Sequence, residues 1–538
     1  MIAITQYLVH ELIFLSAKTY PDPFNDVSLD LVLGDGQGEQ IVIPAFWAGD
    51  HVWKVRVSVS NPGSYKYHTR CTDVENGDLH NVTGAFEVLE YKGTDPLYQH
   101  GMVRVADDHR HFEHEDGTPF FWLADTWWMG LCKRMDWPRG FQSLALDRVE
   151  KGFNVIQIVA GLYPDMAGFD ERGANEAGFP WEPDYLRINP AYFDEADRRI
   201  QYLVNCGLMP CIVGCWGYYL RLAGVDKIKQ HWRYLIARYG AYPVFWCLAG
   251  EQTMPFYLSE DKPADAAFLK EGWSEIASYV RETDPYHRLV TIHPGTDGRE
   301  QMTSADLIDF EMLQTGHNDR QSLPNTVESV RRAVARQPMM PVINAEVCYE
   351  GIGEACRQEV QRLMFWVSVL NGTAGHSYGA NGIWQVNTQS APYGPSPHGL
   401  AWGHTPWDEA AQLPGSSQLG ISKGFIERYP WWLFETHPEW VEPHWNSENY
   451  FAAYAAGIPG ELRCVFWPST FMSGVLKGLE PDVRYRAVLF NPVNGEKQDL
   501  GIAEPDDSGE WQLPIGNGQW RVMPVFQDWI LILQKENN

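Results

Sequence analysis

The chain has 538 residues, 44% hydrophobic and 21% charged, too long for a small disulfide scaffold and too apolar for an extended disordered tail. At about 150 residues per domain, this length predicts three or four domains, or one barrel-sized domain with satellites. Its 42 basic and 69 acidic residues give a net charge of −27, with no basic stripe to match a phosphate backbone, which excludes nucleic acid and an anionic membrane surface as partners and disfavours a strongly anionic substrate.

The opening MIAITQYLVHELIFLSAKTY has no basic segment ahead of its short apolar stretch and carries His10 and Glu11 within it, so it does not read as a signal peptide. No run reaches the roughly 18 uninterrupted apolar residues of a membrane span. A cytoplasmic protein without a membrane partner is expected. From residue 5 to about 92, short alternating runs (SLDLVLGDGQGEQIVIPAFWAG, HVWKVRVSVSNPGSYKYHTR, GAFEVLEY) are broken by Gly, Asn and Pro, which predicts an N-terminal β-sandwich over 1–92.

Eight apolar runs then alternate with longer amphipathic stretches. They are FFWLADTWW from Phe120, FNVIQIVAG from Phe153, LMPCIVGCWG from Leu208, PVFWCLAGE from Pro243, LVTIHPG from Leu289, DFEMLQTGH from Asp309, PVINAEVCYEG from Pro341 and GTAGHSYGANGIW from Gly372. Near-continuous apolar text is what parallel strands covered on both faces require, and eight β-then-α units predict an α/β fold, a (β/α)8 TIM barrel over 93–430. A Trp- and Pro-rich passage, PWWLFETHPEWVEPHW, leads into a second alternating region (GELRCVFWP, YRAVLFNPVNGE, DWILILQ), read as a C-terminal β-sandwich over 431–538. The nine Cys residues fall mostly inside apolar runs and read as buried, reduced thiols; Cys211 and Cys215 have no second ligand pair at zinc-site spacing.

A TIM barrel carries its active site at the C-terminal ends of its strands. Two acids there interrupt apolar text: Glu251, directly after FWCLAG on the fourth run, and Glu346, inside INAEVCYEG on the seventh. A charge is costly in such surroundings unless it has partners or a task, and two carboxylates projecting into one mouth suit glycosidic bond cleavage, one protonating the departing oxygen and the other attacking the anomeric carbon or activating water against it. The bland alternative for each is an acid that caps the next helix or pairs with a rim Arg. Other strand-end residues are candidate substrate contacts: Asp125, Trp128, Trp216, His293, His317, Tyr349, Glu350, His376 and Trp384. His293 and His317 can orient a carboxylate, and Tyr349 can hydrogen-bond the nucleophile and keep it ionised. Burial among Trp216 and Trp246 is expected to raise the pKa of Glu251.

The His-rich HRHFEH (His109, His111, His114) precedes the first strand and belongs at the other end of the barrel or in the linker, so no metal is expected there. No phosphate-binding glycine loop or dinucleotide fingerprint is present, and no cofactor is expected. The loops Tyr163 to Tyr185 and Gln385 to Glu409 are long enough to wall the mouth into a pocket, which favours exo-action.

The combination of FFWLADTWW, WCLAGE, HPG, TGH and NAEVCYEG, with the flanking sandwich text, resembles the apiosidase-like glycoside hydrolases, family 140 and its relatives, across essentially the whole chain. The resemblance implies a retaining mechanism with the acid/base after strand four and the nucleophile after strand seven, here Glu251 and Glu346. It departs at strand four, where the family pattern has Asp and this chain has the longer Glu251. The expected function is therefore a glycoside hydrolase with a carbohydrate substrate; the alternatives are a metal-dependent hydrolase on the same barrel and a non-catalytic carbohydrate-binding protein.

Overall fold

The computed structural model describes residues 2–35, 38, 40–515 and 522–536. Its centre is a barrel of eight parallel strands, here numbered one to eight: Trp122–Thr126, Val155–Val159, Met209–Trp216, Phe245–Gly250, Val290–His293, Glu311–Gln314, Val342–Glu346 and Gly375–Tyr378. Their hydrogen-bonded order is five-four-three-two-one-eight-seven-six. Between strands five and six a side chain completes the ring: Asp309 donates its N–H to Val290 O at 2.8 Å, and its carboxylate accepts from Val290 N at 2.7 Å.

Helices follow the strands and cover them, among them Arg139–Glu150, Pro190–Asn205, Val225–Tyr239, Lys262–Thr283, Leu323–Ala335, Gln358–Val369 and Pro414–Ile426. This outer layer is why the strands are apolar on both faces. The connection from strand five to strand six departs from the repeating unit and forms two short 3-10 turns, Arg299–Gln301 and Ala305–Leu307, where the text TDGREQMTSAD is too broken by turn residues to sustain a helix.

The lower end of the barrel is closed by a small sheet, Val103–Val105, Phe112–His114 and Pro119–Phe120. Phe112 inserts its fully buried ring among Trp122, Phe245 and Phe310, with centroids 6.3, 6.0 and 5.1 Å away. The histidines of HRHFEH therefore lie at the end opposite the strand C-termini, where His111 faces Asp108 and His114 meets the Gly101 carbonyl.

Two sheets at the N-terminus pack on each other through Leu31, Trp53, Val55 and Phe86, one of five strands and one of three. Residues Gly36, Gln37 and Glu39, within the alternating text read for this unit, lie outside the described residues. Arg56 of this unit reaches the barrel's helical layer, where Asp197 accepts from both Arg56 and Arg238. At the C-terminus a six-stranded and a three-stranded sheet enclose Trp467, Trp511, Trp529 and Leu531. That unit is pinned to the barrel by Arg362, on helix Gln358–Val369, which donates two hydrogen bonds to Asp528 at 2.8 and 2.5 Å with both side chains buried. All nine cysteines are free thiols, eight of them buried. Among the described residues no helix is long and apolar enough to cross a membrane.

Breaking a buried ion pair from one side leaves an uncompensated charge, so Arg362→Met is expected to destabilise the C-terminal unit by about 3–5 kcal/mol. Urea unfolding followed by fluorescence of its Trp residues checks this. A loss below about 1 kcal/mol contradicts the anchoring role, and adding Asp528→Asn to Arg362→Met should restore part of the stability.

Candidate active site

Both strand-end glutamates owe their aim to irregular ladders. Strand six pairs Leu313 with Asn344 but Gln314 with Glu346, so Ala345 is an extra residue in strand seven. Strand five likewise pairs Thr291 with Cys247 and His293 with Gly250, which gives strand four one residue more than its partner. Such bulges turn the next side chain away from simple alternation. Glu251 moreover has φ +42°, a left-handed conformation rare for Glu, and Gly250 before it carries the Trp216 ring so closely that a Cβ would lie 2.2 Å from it.

Glu346 is 6% exposed and surrounded by donors. His317 Nε2 lies 2.8 Å from Oε1, His293 Nε2 lies 3.2 Å from Oε2, and Tyr349 donates its hydroxyl to Oε2 at 2.6 Å. Tyr349 in turn accepts from Trp128 Nε1 at 2.9 Å, and its ring stacks against His317 on one side and Trp384 on the other. Burial alone would raise the pKa of Glu346, but the hydrogen bonds and charges of His293 and His317 outweigh it and hold the carboxyl well below its ordinary range. The same contact acts on His317, where burial opposes the imidazolium but bonding to Glu346 prevails and raises its pKa.

Glu251 stands in the opposite situation. Among the described residues it accepts only long hydrogen bonds, from Trp216 Nε1 and Gln314 Nε2, both at 3.3 Å. Burial and the neighbouring Glu346 charge push its pKa up. Gln314 also donates to Glu346 Oε1 at 3.1 Å, so one amide nitrogen touches both acids. Laid end to end, those two contacts put the facing oxygens at most about 6.4 Å apart.

These groups open into a cavity of about 260 Å³ lined by Trp128, Trp216, Glu251, Gln314, His317, Glu346, Tyr349, Trp384, Ile352 of the strand-seven loop and residues of three further loops. Both long loops read from the sequence contribute, with Pro164 and Asp165 from the strand-two loop and His398, Leu400 and Trp402 from the strand-eight loop, joined by Met254 and Tyr257 after strand four. The loops are tied together: Tyr393 donates to Pro164 O at 2.9 Å, and Arg172 bridges to Tyr393 O and Pro395 O.

Seven of the eleven expected site residues line this cavity, and His293 supports it from behind as a buried partner of Glu346. Three are placed elsewhere. Asp125 points into the helical layer, where it binds Arg148 Nε at 2.6 Å and Trp127 Nε1 at 2.7 Å, because its neighbours in strand one take the inward face. His376 faces outward from strand eight against Phe365, and burial lowers its pKa to about 3. Glu350 accepts from Tyr378 at 2.6 Å and from Gly415 N, which ties the strand-seven loop to helix Pro414–Ile426. Trp246 also turns outward, to Asp284 and Trp232, so Trp216 alone of the two expected tryptophans desolvates Glu251.

Sequence reasoning missed Gln314, Asp165, Tyr257, His398 and Trp402. Gln314 does close strand six in DFEMLQTGH, a polar strand-end signal passed over in favour of His317; the loop residues carry no periodic signal.

The family model described as "Apiosidase-like, catalytic domain" matches residues 106–433, and a second model, described only as a domain of unknown function, matches residues 3–72. Among solved structures, a glycoside hydrolase is 23% identical with a TM-score of 0.63, over 82% of this chain and 98% of that one. A glycoside hydrolase of family 5 from Bacteroides vulgatus is 22% identical with a TM-score of 0.63, over 82% of this chain and 95% of its own. A further Bacteroides vulgatus structure is 17% identical with a TM-score of 0.68, over 100% of both chains. At these identities the likeness is one of fold. No curated protein matches the chain.

The opposed surroundings of the two acids predict opposite effects on stability. The pKa of Glu251 is higher in the folded than in the unfolded chain, so its ionisation opposes folding as pH rises above the unfolded value of about 4.3. Glu251→Gln should therefore melt above the wild type at pH 8 and lose that advantage near pH 4. The pKa of Glu346 is lowered by folding, so Glu346→Gln should melt below the wild type at pH 8. Thermal unfolding at both pH values is the check, and two variants shifting in the same direction at pH 8 contradict the electrostatic assignment.

Proposed function

This chain belongs to the apiosidase-like catalytic-domain family and is a glycoside hydrolase, and from that premise we propose that it is a retaining, exo-acting enzyme with Glu346 as nucleophile and Glu251 as acid/base. The observation that carries this reading is the pair of acids on one amide, Gln314, with one held ionised and the other biased to keep its proton. Retention calls for carboxyl groups about 5–5.5 Å apart and inversion for about 6.5–9.5 Å, and two acids that reach the same amide nitrogen are compatible with the closer arrangement.

In the first step Glu346 attacks the anomeric carbon while Glu251 gives its proton to the glycosidic oxygen; that C–O bond breaks and the aglycone leaves as an alcohol. Glu346 is then an uncharged ester, so the repulsion that raised the pKa of Glu251 is gone. The Glu251 carboxylate can now take a proton from water, whose oxygen attacks the anomeric carbon and releases Glu346. His293, His317 and Tyr349 position Glu346 and stabilise its charge before attack and on release. Among the described residues, the cavity-lining side chains carry buried polar atoms without partners, Gln314 Oε1, His317 Nδ1 and Trp384 Nε1. Orphaned polar atoms need an explanation, and a polyhydroxylated ligand supplies one. The tied loops supply the wall that favours action on chain ends, with Trp128, Trp216 and Trp384 as candidate ring-stacking faces.

A screen of 4-nitrophenyl pyranosides and furanosides tests the assignment. On the glycoside that is cleaved, Glu251→Gln should lower kcat/KM by roughly 10²–10⁴-fold and Glu346→Gln should abolish turnover. Azide should restore the rate of Glu251→Ala on this activated substrate. Activity falls at low pH as Glu346 protonates and at high pH as Glu251 ionises, and His317→Gln should move the acidic limb upward by removing a donor that keeps Glu346 ionised. Full activity in either glutamate variant overturns the reading.

A further inference from the structure

The cavity that holds the proposed catalytic pair is lined by a third acid. Asp165 follows strand two at the start of the loop wall, is 8% exposed and lines the cavity. Its backbone adopts φ +56°, a conformation an aspartate holds only when its surroundings fix it. The fixing groups come from both sides: Trp402 Nε1 donates to Oδ2 at 3.1 Å, and the Asp165 N–H donates to the Tyr257 hydroxyl at 3.1 Å. Tyr257 lies on the loop that begins with Glu251, and its ring stacks on His398 at 4.9 Å. The nearest guanidinium, Arg172, is taken up by the Asp170 carboxylate and meets only the backbone carbonyl of Asp165. Asp165 is thus a buried carboxylate, oriented by two neutral side chains, with no ion pair among the described residues.

We propose that Asp165 is the sugar-recognising residue of this pocket, its carboxylate accepting hydrogen bonds from two adjacent hydroxyl groups of an uncharged terminal sugar. The inference rests on the reading of the barrel mouth as a glycosidase pocket and names what that pocket holds. A carboxylate offers about four acceptor positions on two oxygens; Trp402 uses one and the Tyr257 hydroxyl lies against a second, so a pair of neighbouring O–H donors matches the two that are left. The charge of the sugar follows from the same wall. The ionisable side chains lining the cavity are Asp165, Glu251, Glu346, Tyr257, Tyr349, His317 and His398, and no Lys or Arg lines it. A uronic acid would bring a fourth carboxylate into this space, where the His317 imidazole is already engaged by Glu346 and no Lys or Arg stands ready to receive it. Burial raises the pKa of Asp165, and hydroxyl donors favour its ionised form, so a sugar relieves the cost of keeping it charged.

Equilibrium binding of D-glucose, D-galactose, D-xylose, L-arabinose and D-glucuronate to the full chain, read by saturation-transfer NMR and by fluorescence of the cavity tryptophans, is the test. At least one neutral sugar should bind more tightly than D-glucuronate. Asp165→Asn, which should melt at or above the wild-type midpoint at neutral pH, should weaken that sugar roughly 10- to 100-fold, and Trp402→Phe, which leaves the carboxylate but frees it, should weaken it less. Preference for D-glucuronate, absence of neutral-sugar binding, or an Asp165→Asn affinity within about twofold of wild type overturns the proposal. Free sugars are not hydrolysed, so this outcome is separate from the assignment of Glu251 and Glu346, whose failure shows as activity surviving in their variants.

Discussion

Two carboxylates that share one amide nitrogen in a largely buried pocket cannot both be ionised cheaply, and much of the site follows from how this molecule divides the donors between them. His293, His317 and Tyr349 all serve Glu346, while Glu251 keeps only long contacts to Trp216 and Gln314. The division costs stability at one acid and returns it at the other. On the proposed mechanism it also leaves one acid prepared to donate a proton and the other prepared to attack, the pairing of unlike carboxyl environments from which acid and nucleophile roles arise in glycosidases.

The fold holds this asymmetry in place through rigid elements. Bulges in strands four and seven aim the acids, Gly250 lets the Trp216 ring lie flat against the backbone before Glu251, and the Trp128–Tyr349–Glu346 relay connects strand one to strand seven. Phe112 fills the opposite end, and above it the barrel interior is packed, with Trp122, Ser377, Gln157 and Thr126 joined by buried hydrogen bonds below the mouth. Arg172 and Tyr393 join two long loops into a wall, and Asp165 with Trp402 turns part of that wall toward the ligand space.

Much of this was legible in the sequence. Apolar runs with polar terminators marked all eight strands, and the costliest terminators, Glu251 and Glu346, converge on one cavity. What failed was the assignment of faces. Asp125 and His376 sit one residue away from inward-facing neighbours, and a single step along a strand exchanges barrel interior for helical layer. Trp246 misleads for the same reason, whereas the bulges that rescue Glu251 and Glu346 leave no mark in the text. Glu350 lies beyond the end of strand seven, where a loop carries its carboxylate to Gly415. Gln314 was visible as a strand-end residue, but its reach to two acids was not, and Asp165 gains its surroundings from loops that meet only in three dimensions.

The central claim is that Glu346 forms a bond to the sugar, which fixes the stereochemistry of the product. Proton NMR of the anomeric region, recorded during the first minutes of hydrolysis of a cleaved aryl glycoside, reads this before mutarotation mixes the products. The account predicts a first-formed sugar with the same anomeric configuration as the substrate; the opposite anomer appearing first would contradict it, making Glu346 a base that activates water.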